Sequence, residues 1–137
     1  MKKLILITAL ILIAGITYEQ NLQKGNLVGT HAISVTLQPG VTIEKFMDFY
    51  KSKVVPEWEK GLPGMKAYVV RSLRGENKDS FGGIIIFKSE TDRDKYFKAD
   101  GSYTETGNAA MAKLKPLFDE LSKLGTMTTV YNDWLVL

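Results

Sequence analysis

From Thr30 the chain alternates between apolar and polar residues. Thr30-His31-Ala32-Ile33-Ser34-Val35-Thr36-Leu37 puts His31, Ile33, Val35 and Leu37 on one face of a strand, the face that packs against helices. Gln38-Pro39-Gly40 ends the strand with turn residues. Thr42 then reads as an N-cap and Glu44 suits the first turn of a helix. Phe46, Phe49, Tyr50 and Val54 follow at helical spacing. Pro56 is expected to disturb that helix, with Trp58 just beyond it, and Gly61-Leu62-Pro63-Gly64 breaks the chain.

A second strand is predicted from Met65 to Arg74, with Lys66, Tyr68, Val70 and Ser72 on one face. Gly75 to Ser80 is a polar turn. The third strand, Phe81 to Phe87, is nearly all apolar, which predicts cover on both faces. Gly82-Gly83 inside it marks a bulge or a close backbone approach. Ser89-Glu90-Thr91-Asp92 resembles a capping box and opens a short helix running through Phe97. Ala99 to Tyr103 is a loop. The last helix spans about Glu105 to Leu124, with Met111, Leu114, Leu117, Phe118, Leu121 and Leu124 as its stripe. Pro116 should kink it, and Gly125 suits its C-cap. Thr126 to Val136 is a β-branched and aromatic final strand.

The element order is β-α-β-β-α-α-β, which predicts an α+β, ferredoxin-like domain. It has one four-stranded antiparallel sheet with helices on one face. The other face is left open and carries apolar and aromatic residues, so a homodimer with sheets face to face is expected. Tyr131 and Trp134 are assigned to that contact.

The length of 137 residues fits one domain, with 45% hydrophobic and 24% charged residues. The N-terminus has its own character. Lys2 and Lys3 precede an apolar run of 13 residues, Leu4 to Ile16. That run is shorter than the roughly 20 residues a membrane span needs and matches a signal-peptide core. Residues 1–17 are therefore expected to be a signal peptide directing export to the periplasm or medium; the alternative is an uncleaved anchor. Residues 18–29 read as a linker and 30–137 as the domain. Without Lys2 and Lys3 the chain holds 16 basic and 15 acidic residues, so its net charge of +3 falls to about +1. No basic run interleaves with aromatics, and nucleic acid is not an expected partner. The absence of cysteine excludes a disulfide scaffold.

Candidate chemistry centres on His31, the single histidine. A pocket between sheet and helices is expected from His31, Ile33, Val35, Phe46, Phe49, Tyr50, Tyr68 and Tyr96. It would be mostly apolar with a few polar groups, the usual form of a small-ligand site. His31 would exchange a proton, and Tyr96 would hydrogen-bond a carbonyl or phenolate oxygen. Plain core packing is the alternative for each of these residues. Asp79, Asp92, Asp94 and Asp100 do not form a metal set, and neither metal nor cofactor is expected. Arg71 and Arg74 read as solvated edge charges. No Ser-His-acid arrangement and no phosphate loop are legible.

His31, the exit Leu37-Gln38-Pro39-Gly40-Val41-Thr42, the Leu62-Pro63-Gly64 break and the segment Ser89 to Phe97 together resemble the dimeric α/β-barrel superfamily. The resemblance covers about Thr30 to Leu137. It is nearest to stress-responsive barrels and the plant polyketide cyclase built on them, whose strand-one His and later Tyr match His31 and Tyr96. The cyclase's second His has no counterpart in Lys98-Ala99-Asp100-Gly101-Ser102. The iron-binding helical His of haem-degrading relatives is absent too. The expected apolar pocket, the lack of a second ionisable partner for His31 and the N-terminal segment point to an exported barrel domain binding a small apolar or aromatic ligand. The alternative, implied by the resemblance, is a cofactor-independent monooxygenase or cyclase-like enzyme using His31 and Tyr96.

Overall fold

The structure is a computed structural model that describes residues 21–137. The predicted signal segment 1–17 and the start of the predicted linker lie outside the described residues.

Strand β1 spans Leu27–Leu37, so it takes in the last residues of the predicted linker. Helix α1 spans Ile43–Phe49 and is capped by Thr42, whose side chain accepts from the Lys45 N–H at 3.3 Å. Pro56 does not end the helix. A π-helical turn, Tyr50–Val54, precedes helix α2, Val55–Gly61. Pro56 has no N–H to give to the turn behind it, and the widened turn accommodates that loss at the start of α2. Trp58 is therefore inside a helix rather than beyond one.

Strand β2 spans Met65–Arg71 and β3 spans Phe81–Phe87. Helix α3, Glu90–Asp94, starts at Ser89, whose hydroxyl oxygen accepts from the Asp92 N–H at 3.1 Å. Helix α4, Glu105–Ser122, carries Pro116 in its interior. Gly107 lets its first turn settle on the Tyr96 carbonyl, where a Cβ would collide. Strand β4 spans Gly125–Leu135.

The sheet order is β2-β3-β1-β4, antiparallel throughout. His31 lies opposite Gly83 on β3 and Tyr131 on β4. Odd-numbered strand residues therefore face the helices, and even-numbered ones face away. Pairing runs unbroken through Gly82 and Gly83, so they form no bulge. They allow a close approach instead: a Cβ on Gly82 would sit 2.9 Å from the His31 carbonyl.

Helix-facing residues build two core clusters. Leu27, Leu62, Met65, Ile85, Phe87, Tyr96 and Ala110 form one. Phe46, Met47, Tyr50, Val54, Val55 and Leu121 form the other. Burial of these side chains is the main source of stability. The even-numbered face has no cover within the described residues. Tyr68, Val70, Val130 and Trp134 are exposed there. Only one face of β3 is thus fully covered, against the sequence expectation. Among the described residues no helix is long and apolar enough to cross a membrane.

Candidate functional site

A cavity of about 620 Å³ lies between the odd-numbered sheet face and the helices. Its floor includes Gly29, His31, Ile33, Ala67, Val69, Gly83 and Thr129. Tyr50, Val55, Trp58, Met111 and Phe118 wall it from the helical side. The segment from Phe97 to Tyr103 closes one end, contributing Lys98, Ala99 and Gly101. That segment folds back on itself: Phe97 pairs with Tyr103, and the Lys98 N–H donates to the Ser102 carbonyl at 2.7 Å. The volume and the mainly apolar walls suit a small molecule.

The polar groups gather near β4. His31 stacks on Tyr131, with ring centroids 5.4 Å apart and planes 20° from parallel. Gly83 lies opposite it on β3. Asp133 follows Tyr131 on the same face and pairs with Arg93 of α3 through Nη1 and Oδ2. Arg93 also meets Asp94 and, at 3.5 Å, Glu90. Tyr131 in turn touches the closing segment, because a Cβ on Gly101 would collide with its hydroxyl.

Burial pushes the His31 ring below its ordinary value of 6.5, and the nearby Asp133 charge opposes part of that shift. His31 is therefore neutral at pH 7, with one N–H and one lone pair to offer. Tyr50 is pushed up to about 12, first by burial and then by the neighbouring Tyr103. Burial also raises Tyr103. The Trp58 indole N–H is buried without a hydrogen-bond partner among the described residues.

The residues singled out in the sequence are dispersed. His31, Ile33 and Tyr50 line the cavity. Tyr68 also borders it, but from an even-numbered position, with its side chain on the open sheet face. Val35 lines a separate shallow recess with Ile43 and Phe81. Phe46 is fully buried and Phe49 packs against the same cluster, so neither reaches the cavity. Tyr96 is a correction. Its ring is in the other core cluster, and its hydroxyl donates to the Pro63 carbonyl at 3.0 Å. It does not share a cavity with His31.

Asp133, Arg93, Tyr131, Lys98 and Trp58 are among the cavity residues that sequence reasoning missed. Tyr131 was expected at the dimer contact, yet its register puts it beside His31, while Trp134 does lie on the open face. Arg71 is paired with Asp79 at 2.9 Å. Among the described residues no group of three or more His, Cys, Asp or Glu is placed to hold a metal.

No family model and no curated protein matches the sequence. Solved structures do match. A NIPSNAP family protein of unknown function from Agrobacterium tumefaciens is 13% identical, over 85% of this chain and 94% of its own, with a TM-score of 0.51. The fold is ferredoxin-like. SnoaB, a cofactor-independent oxygenase from Streptomyces nogalater, is 14% identical over 82% of this chain and 94% of its own, with a TM-score of 0.47. A dimeric ferredoxin-like protein of unknown function from Bacteroides fragilis is 11% identical over 81% of this chain and 98% of its own, with a TM-score of 0.42. At 13% identity the likeness to the NIPSNAP family protein concerns the fold alone.

Proposed function

We propose that this chain binds a small apolar or aromatic molecule in the cavity between sheet and helices, with the molecule's polar end at His31, Tyr131 and Asp133. The observation that carries this reading is the cavity itself: about 620 Å³, walled by Trp58, Met111 and Phe118, with His31, Tyr131 and Asp133 among its hydrogen-bonding groups. Thr129 is exposed at the sheet side of that space, so Thr129→Trp fills it without disturbing the core. The test is calorimetric titration with 2-methoxynaphthalene. Saturable binding by the wild type, lost in Thr129→Trp with the circular dichroism spectrum unchanged, is the expected result. Failure of the probe to bind, or equal binding by the variant, overturns the reading.

The second reading is cofactor-independent oxygenase or cyclase chemistry. It is favoured by a neutral His31 facing an apolar cavity next to Asp133. In this reading Tyr96 takes no part, because its hydroxyl is committed to Pro63. Turnover of a hydroxylated aromatic substrate, abolished by His31→Ala, would establish it.

Two copies of the chain are proposed to pair through the open sheet face. Val70, Val130 and Trp134 are exposed on it, and Lys66 is the one charged residue at its even-numbered strand positions. Export is proposed from the Lys2-Lys3 and Leu4–Ile16 pattern alone. Mass spectrometry of the chain recovered outside the cytoplasm would show cleavage after Thr17 if residues 1–17 are a signal peptide.

A further inference from the structure

Gly29 sits inside β1, where a glycine weakens a strand. Its backbone needs no left-handed conformation, so what it provides is space. A Cβ on Gly29 would lie 3.2 Å from His31 Nε2 and 3.2 Å from Asp133 Oδ1. Two polar atoms from neighbouring strands thus lie close together beside a bare stretch of backbone. They form no hydrogen bond or ion pair with each other, and neither has another hydrogen-bond partner among the described residues. Each side chain is held from behind. Tyr131 stacks on the imidazole, and Arg93 occupies the other carboxylate oxygen, Oδ2. Both atoms belong to residues that line the cavity.

From this juxtaposition we infer that the floor over Gly29 is a subsite for a ligand hydroxyl, bridged between His31 Nε2 and Asp133 Oδ1. The inference rests on the cavity being a ligand site, as proposed above. A hydroxyl is the small neutral group that donates and accepts at one atom. It donates to Asp133 Oδ1 and accepts from the His31 Nε2–H. An ether or ketone oxygen only accepts and leaves Asp133 Oδ1 without a donor. A carboxylate is repelled by Asp133 and has no hydrogen to donate to its Oδ1. An ammonium group donates but cannot accept from the His31 Nε2–H, so it satisfies only one of the two atoms. Gly29 is the specificity-determining residue, because a side chain there presses on both polar atoms and takes up the space beside them.

The experiment is a calorimetric comparison of four probes on the full chain: 2-naphthol, 2-methoxynaphthalene, 2-naphthoate and 2-naphthylmethylammonium. The wild type is expected to bind 2-naphthol roughly tenfold or more tighter than the other three. In Gly29→Ala and in Asp133→Ala the preference for 2-naphthol over 2-methoxynaphthalene disappears. The methyl ether thereby reports the cavity, and the difference between the two probes reports the subsite. Equal affinity for naphthol and its ether, tighter binding of the ammonium or carboxylate probe, or a preference that survives Gly29→Ala overturns the assignment. Absence of binding by all four overturns the cavity reading, and the subsite with it. Should Gly29→Ala fail to fold, the wild-type series and Asp133→Ala decide the matter, since the Asp133 side chain is partly exposed.

Discussion

Phe46→Ala separates core from cavity most sharply. Phe46 is one of the largest fully buried side chains, at 0% exposure, and packs with Val54, Met47 and Leu121. Its Cδ2 would lie 3.3 Å from a Cβ on Gly125, so the ring is pressed against the start of β4. Returning such a ring to water forfeits about 1.5–3 kcal/mol of transfer free energy. The hole left behind raises the total to about 3–5 kcal/mol, because close-packed neighbours relax only in part. A domain of this size has about 5–15 kcal/mol to lose. The expected outcome in urea is a lower midpoint with an unchanged slope, and a melting temperature reduced by roughly 10–20 °C. Affinity for 2-methoxynaphthalene, measured below the transition, should remain at the wild-type value, since Phe46 does not line the cavity. A stability loss under about 1 kcal/mol combined with weakened probe binding would refute the placement of Phe46 in the core.

Three further outcomes follow from the same geometry. Tyr96→Phe removes the hydroxyl that Pro63 accepts and should lower stability by about 0.5–1.5 kcal/mol, with probe affinity untouched; a loss of binding would return Tyr96 to the site. The folded chain resists protonating His31, so the stability it contributes is present above the unfolded value of 6.5 and lost as pH falls through the lower folded value; His31→Gln should flatten thermal melts over that range. Val130→Lys with Trp134→Lys puts charge on the exposed sheet face and should leave a folded monomer by sedimentation, whereas a monomeric wild type at micromolar concentration would refute the pairing.

Much of the fold was legible because local rules agreed with one another. The alternation from Thr30 placed His31, Ile33 and Val35 on the helix-facing side, and the sheet register keeps them there. The capping oxygens of Thr42 and Ser89 do what their sequence positions imply. The site was less legible, for reasons of distance along the chain. Asp133 meets Gly29 and approaches His31 only through the register of β1 with β4, strands separated by most of the domain. Tyr96 is drawn away from any cavity by a carbonyl 33 residues earlier, which no local pattern announces. Pro56 does disturb the helix, as the widened turn before it shows, but the helix resumes at once and takes in Trp58, which the sequence reading put beyond it.

That widened turn also sets the orientation of everything after it. Each residue in an α-helix advances the side-chain direction by about 100°, so the one surplus residue in a π turn swings the following segment by roughly a quarter revolution. Before the turn, α1 directs Phe46 and Met47 into the second core cluster. After it, α2 presents Trp58 to the cavity, while Val55 borders the cavity and still joins the second cluster. One continuous rod therefore serves both the core and the cavity wall. Deleting a single residue between Tyr50 and Val54 would re-phase the rod and take the cavity wall with it, while leaving every cavity side chain chemically intact.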